Sequence, residues 1–324
     1  MSLLGTIHAA STARYRAVLE LGAEDLTTRR EADPSADLPL PLTASQIDLM
    51  VERFAAKDAA RLRKVADRLA KAERNPDPVP PRDADAMAYE RVMRQTMLRP
   101  ILRRIRAGLS TAVAVSQAID HMDALPFVTS KMLGLIEREV AAQSRRIAGS
   151  NRKDLIATFR QAVAVDIGPV LKDTEIAPLM DRWRRENVSL LQTVPSRLHA
   201  SLTQKIATAF AERPFDQQVL SQVVAQEGKV AGYNLRRIVR DQTNKMNGQL
   251  TRARHRQLGI SQYVWRTVQD DRVRPTHAAN ANKPFEWADP PADTGHPGSD
   301  IQCRCTAQPV LPELGLPDDV KPAA

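Results

Sequence analysis

Both cysteines of this chain, Cys303 and Cys305, and two of its six histidines, His277 and His296, fall within residues 265–309. These residue types ligate metal ions. Two cysteines two positions apart on an extended strand leave the same face, which suits two thiolates on one ion better than a disulfide between them. Pro275, Gly295, Pro297 and Gly298 bracket the histidines and favour turns that aim an imidazole inward. His277, His296, Cys303 and Cys305 are thus the donor set of a closed tetrahedral zinc site. Their spacing, His-x18-His-x6-Cys-x-Cys, matches none of the common zinc-finger patterns. Two buried free cysteines with unrelated surface histidines would fit the same composition.

Asp270, Asp271, His277 and His296 are also the raw material of a metal-dependent hydrolase, here one acting on nucleic acid or a toxin-like protein. A catalytic metal keeps a coordination position open, and four protein ligands leave none. Arg272 and Arg274 beside the aspartates point to ion pairs or a turn clamp. The chain has no nucleophile elbow or kinase signature, and 13 glycines leave no phosphate-cradling loop. A non-enzymatic role is expected. His121 and His199 stand alone in helical surroundings and read as core or surface residues.

The elements that must position these donors are mostly helices. Aromatic residues make up 4% of the 324-residue chain, while Ala, Leu, Arg and Gln abound. No apolar run approaches the roughly 18 residues that span a bilayer. Residues 1–42 read as a helix followed by a proline-broken arm holding Pro34, Pro39 and Pro41. Residues 43–180 form a helical region. Its first helix is capped at Thr43 or Ser45 and runs to about 74, with Ile47, Val51, Phe54, Leu62, Val65 and Leu69 on one stripe. After the break NPDPVPPRD, helices are expected over 84–106, 130–147 and 151–165, with Gly149 and Ser150 between the last two and a loop over 170–180. Four more follow, over 181–191, 195–211, 216–227 and 233–258, closed by Gly259. Strands are expected over 263–268 and 306–311, separated by loops too long for a small domain unless something staples them. The fold class is therefore mostly α: an extended helical body, then a small α+β module at 260–311 with a few short strands, long loops and a metal staple. A tail follows over 312–324, disordered or laid along a neighbour.

Charge is unevenly placed. Residues 266–324 hold six Lys or Arg against nine Asp or Glu, so the total of +9 leaves +12 on residues 1–265. The last long helix carries Arg236, Arg237, Arg240, Lys245, Arg252, Arg254 and Arg256 against the single acid Asp241. Such a helix suits the phosphates of double-stranded DNA, contacted without sequence preference, or an acidic protein surface. A solvated face would look the same.

The run GISQYVWRTVQDDRVRPTH, the later HPG and the closing CRC resemble the head-morphogenesis proteins typified by phage Mu protein F. The positions carrying the resemblance are Trp265, Asp271, Arg272, His277, His296, Pro297, Cys303, Arg304 and Cys305. Many family members have Cys-x-x-Cys where this chain has Arg274 and His277, which leaves His277, His296, Cys303 and Cys305 as the implied zinc ligands. A looser likeness extends the region to 181–311, with 181–259 as a helical lead-in. The resemblance implies a minor capsid protein of the virion, placed in the head interior or at the portal and built in the host cytoplasm. Its implied partners are the portal protein, the major capsid protein and packaged DNA, with no membrane.

Overall fold

The computed structural model describes residues 3–32 and 43–312, together with 314, 315 and 317. The proline-rich arm and most of the tail lie outside the described residues. Helices dominate, as the composition requires: α1 (Leu3–Ala32), α2 (Ala44–Ala70), α3 (Asp83–Met93), a π turn (Arg94–Leu98), α4 (Arg99–Leu109), α5 (Val115–Ala124), α6 (Ser130–Val163), α7 (Asp173–Ala209) and α8 (Gln217–Gln257). The module adds β1 (Gln262–Arg266), a short α9 (Pro275–Ala279), β2 (Pro284–Glu286) and β3 (Thr306–Pro309). Its sheet is antiparallel throughout with β1 in the centre, in the order β2-β1-β3. β2 begins with a proline, which only an edge strand tolerates, and no alternation announced it.

Local signals explain the helix starts. Thr43 closes a capping box with Gln46, Thr129 caps α6 through the Met132 amide, and Asp216 caps α8 through two amides. The expected interruptions at Gly149, between 191 and 195, and between 227 and 233 are absent; α6, α7 and α8 run through them. Helix α7 also begins at Asp173, inside the stretch expected to be a loop. Packing overrides the local breakers. Pro195 is buried inside α7, so one lost backbone hydrogen bond is set against a long apolar contact with α8. Gly228 and Gly232 lie where a side chain would meet Leu102 and the Arg94 guanidinium, and Arg94 donates to the Gly232 carbonyl. They are approach points on an unbroken helix.

The main core lies between α3, α4, α6, α7 and α8, around Tyr89, Ile136, Trp183, Leu198, Leu235 and Leu250. Two polar chains cross it. Tyr89 donates to Asn187, Asn187 to Gln242, and Trp183 to the Gln242 carbonyl. Nearer the module, Asn151 of α6 donates to Asn247 and Thr251 of α8 at 2.9 and 3.0 Å. Its oxygen accepts from Arg254, whose second nitrogen reaches the Ala148 carbonyl. Buried polar groups are costly unless so satisfied, and they fix the register of α6 against α8. Asn151→Ala should therefore destabilise the fold by about 2–3 kcal/mol, because a buried guanidinium loses one of its acceptors and Asn247 and Thr251 lose their shared donor. Urea unfolding followed by circular dichroism reads this, and an unchanged midpoint would remove the network from the account.

Candidate metal centre

The site is built on the C-terminal half of α8. Gly248 has no room for a side chain, since a Cβ there would sit 2.6 Å from the Pro297 carbonyl oxygen. Gly298, at φ +86°, faces it with its own Cβ direction blocked by the Asn244 carbonyl oxygen at 3.2 Å. The helix and the His-Pro-Gly turn thus meet backbone to backbone. Around this contact the loop is hydrogen-bonded to the helix: Asn244 donates to the Cys303 carbonyl, the Gln302 amide donates to Asp241, and Arg252 donates to the Trp287 carbonyl.

These contacts bring three of the four expected donors together. One ligand atom each from His277, Cys303 and Cys305 lies within 4.8 Å of the others, and all three residues are buried. His277 Nδ1 stands 3.5 Å from each sulfur. A tetrahedral zinc with ordinary Zn–N and Zn–S bonds separates N from S by about 3.5 Å, so the donor set fits that ion. The far side of the imidazole is held as well. His277 Nε2 is 3.2 Å from Asp300, which also accepts from Arg274 at 2.9 Å, and the Trp265 ring meets the imidazole edge to face. A carboxylate behind a ligating histidine fixes its tautomer and raises its basicity. The Gly298 amide points at the Cys303 sulfur, 3.4 Å away.

The hydrogen bond from Cys305, with the backbone amides, holds Cys303 below its ordinary value, while Cys305 beside it is pushed up. Cys303 is thus the first thiolate.

His296 is not part of the cluster, which corrects the four-ligand expectation. Its Nδ1 is hydrogen-bonded to the Tyr263 hydroxyl at 3.0 Å, and its ring packs against Tyr263 and Trp287. It belongs to the aromatic core of the module, and burial lowers its pKa to about 4. The open side of the three-donor set forms part of the wall of a cleft of about 520 Å³ that also carries Arg240, Arg272, Arg274 and Arg304. Each of these arginines has a carboxylate nearby: Asp83 for Arg240, Asp270 for Arg272 and Arg304, and Asp300 for Arg274. Arg304 grips Asp270 with two bonds of 2.6 Å and holds its carboxyl down to about 2. Asp270, one residue before the position that the resemblance singled out, closes this clamp, and Asp271 is exposed. Asp300 and Gly248 carry no signal in the sequence, and Asp270 is marked only as a carboxylate beside Arg272 and Arg274, not as the partner of Arg304. Their partners lie from 23 to 50 residues away, and only CRC and HPG marked the far ends.

The seven α8 cations expected to meet an anionic partner do not form one free face. Arg254 is 1% exposed and bonded inside the core, so it cannot lie along a phosphate, and the expectation is corrected there. Arg252 reaches the Trp287 carbonyl, Lys245 pairs with Asp241, Arg236 with Glu90 and Arg240 with Asp83. Arg237 rests over the Tyr233 ring, and Arg256 is exposed.

A helical body carrying a small three-stranded module, closed over a His-Cys-Cys cluster, is the class that fold and site define. Residues 199–308 match the family described as Phage Mu protein F like protein, from within α7 into β3. An uncharacterized protein of Haemophilus influenzae is 31% identical over 162 residues, a match covering 50% of this chain and 36% of the relative. The chain thus spans about a third of the length of this curated relative. No solved structure matches.

Two outcomes follow from the packing. Gly248→Ala raises helix propensity by about 1 kcal/mol but forces the Pro297 turn outward. Faster proteolysis within 266–311, with helicity of the body kept, is the expected result, and an unaltered cleavage pattern would contradict it. Burial also lowers the pKa of His255, to about 3, as it does that of His296. Unfolded histidine titrates near 6.5, so the unfolded chain binds more protons below that pH; stability is full above about 6.5 and falls towards pH 4. The urea midpoint should drop between pH 7 and 5. His255→Phe, which loses no hydrogen bond because both ring nitrogens lack partners, should flatten part of that drop.

Proposed function

We propose that this chain is a minor head protein of a tailed phage, acting in head assembly at the portal or the inner capsid surface. The observation that carries the reading is that the family match over 199–308 contains the whole His277, Cys303 and Cys305 cluster and the helix on which it is built. In this reading the module folds as a fixed block. The basic body, +12 over residues 1–265, faces an anionic partner, either packaged DNA or an acidic portal surface. No helix among the described residues is long and apolar enough to cross a membrane.

His277, Cys303 and Cys305 would hold zinc, with Asp300 orienting the imidazole. Bound there, the ion supplies a cross-link between α9 and the entry to β3, segments otherwise joined by a loop with one three-residue strand. Cys303→Ser or His277→Ala should release the metal and loosen 265–311, whereas His296→Gln should retain it. Metal content measured by mass spectrometry of the native protein separates the three-donor site from a four-donor one. Metal loss in His296→Gln equal to that in Cys303→Ser would sink the assignment.

One observation favours a second reading, a metal-dependent enzyme acting on nucleic acid: three donors leave a coordination position towards a cleft bearing four arginines. Quantitative mass spectrometry of procapsids and mature particles, normalised to the major capsid protein, distinguishes the two. A few copies per particle supports the head role. Absence from both, together with nucleic-acid cleavage that needs metal and His277, would replace it.

A further inference from the structure

Residues 91–119 contain no acidic residue and six arginines, Arg91, Arg94, Arg99, Arg103, Arg104 and Arg106. All six arginines lie on the rod formed by α3, the π turn and α4. Its inner side follows a strict four-residue repeat, with Tyr89, Met93, Met97, Ile101, Ile105 and Leu109 all buried. Each step of four overshoots a 3.6-residue turn by about 40°, so an ideal helix would carry such a row progressively off the core. Five such steps add up to about 200°, of which the one extra residue taken up by the π turn returns about half. Pro100 is its cause: it has no N–H, and its ring would strike the Thr96 carbonyl in a regular helix. The neighbouring Arg99 amide bonds five residues back, to Arg94.

The same repeat fixes the outer side. Arg91, Gln95, Arg99 and Arg103 follow one another at intervals of four and are exposed, with Arg106 next in line. None of Arg91, Arg99, Arg103 and Arg106 has an ion pair or side-chain hydrogen bond among the described residues, in contrast to Arg236, Arg240 and Lys245 of α8. Arg94 turns inward to Glu90 and Gly232. Contacts from Glu90 to Arg236, Arg94 to Gly232 and Leu102 to Gly228 run antiparallel, which sets exposed Lys229 and Arg237 level with the row along the axis.

We propose that Arg91, Arg99, Arg103 and Arg106 form a ridge that binds the phosphate backbone of double-stranded DNA without sequence preference. The inference rests on the head-protein reading only for where such DNA would be met. Four guanidinium groups over roughly 22 Å of helix have no carboxylate to satisfy them and fork-shaped donors suited to phosphate. A protein partner would need an apolar anchor at the centre of its interface; none is exposed between 91 and 106, and the exposed Met87 stands one step of four beyond the N-terminal end of the row, with Val230 and Tyr233 on the neighbouring α8. Every exposed group in the row is arginine or glutamine.

The test is fluorescence anisotropy of the full chain with labelled 30-base-pair duplexes of unrelated sequence, titrated across a salt series. Four phosphate contacts give a log–log slope of about −3.6, so affinity should fall on the order of 100-fold between 50 and 200 mM salt. The triple variant Arg99→Glu, Arg103→Glu, Arg106→Glu should flatten the slope by about 3, and the corresponding triple Lys variant should keep it. A triple Gln variant replaces the reversal should that one fail to fold. Duplex binding within threefold of wild type in the Glu or Gln variant would overturn the proposal, as would polyglutamate bound as tightly as duplex, the mark of an acidic protein partner. Failure of the two readings is separable: particle copy number tests the head role, and anisotropy tests the ridge alone.

Discussion

The approach of Gly248 to the Pro297–Gly298 turn is the constraint on which the C-terminal half depends. Nothing larger than hydrogen fits between helix and loop, so the loop can lie only one way on α8. In that position the Gly298 amide meets the Cys303 sulfur, Asn244 meets the Cys303 carbonyl and Asp241 meets the Gln302 amide. The cluster of donors follows from main-chain docking. Its ligands need no further steering except at His277, which Asp300 holds from behind.

Helix α8 does two jobs with one sequence. Towards its N-terminal half it packs α3, α4 and α7 through Gly228, Gly232, Leu235 and Val239. Towards its C-terminal half Asn247, Thr251 and Arg254 face α6, while Asp241, Asn244, Gly248 and Arg252 face the module. Body and module are therefore positioned by residues one turn apart. A shift of α8 against α6 would have to break the buried Asn151 network before it could move the metal donors, which makes the network a stabiliser of the site as well as of the core.

Electrostatics divide along the same line. Arg236, Arg240, Lys245 and Arg252 of α8 and the arginines of the cleft are matched with carboxylates or a carbonyl, and such pairs contribute specificity of position more than free energy. The longest row of arginines without a carboxylate sits on α3 and α4, away from the cluster. A chain whose total charge suggested one basic helix thus separates a neutralised structural face from an exposed cationic one.

Sequence alone carried the helical content, the cap at Thr43, the central strand and one edge strand of the sheet, and the placing of Cys303 and Cys305 on one site. These depend on local propensity, on period and on residues two or three apart, which any window reveals. It also marked His277 by type. Tertiary structure decided the rest. It kept α7 and α8 unbroken through Pro195, Gly228 and Gly232, because burial against distant helices outweighs a local cost. It removed His296 from the donor set by giving it Tyr263 and Trp287, and it took Arg254 into the core. It recruited Asp300 and Asp270, and it turned Gly248 into a contact. Those outcomes depend on which groups meet across separations of tens to a hundred residues, where neither spacing nor composition carries the information.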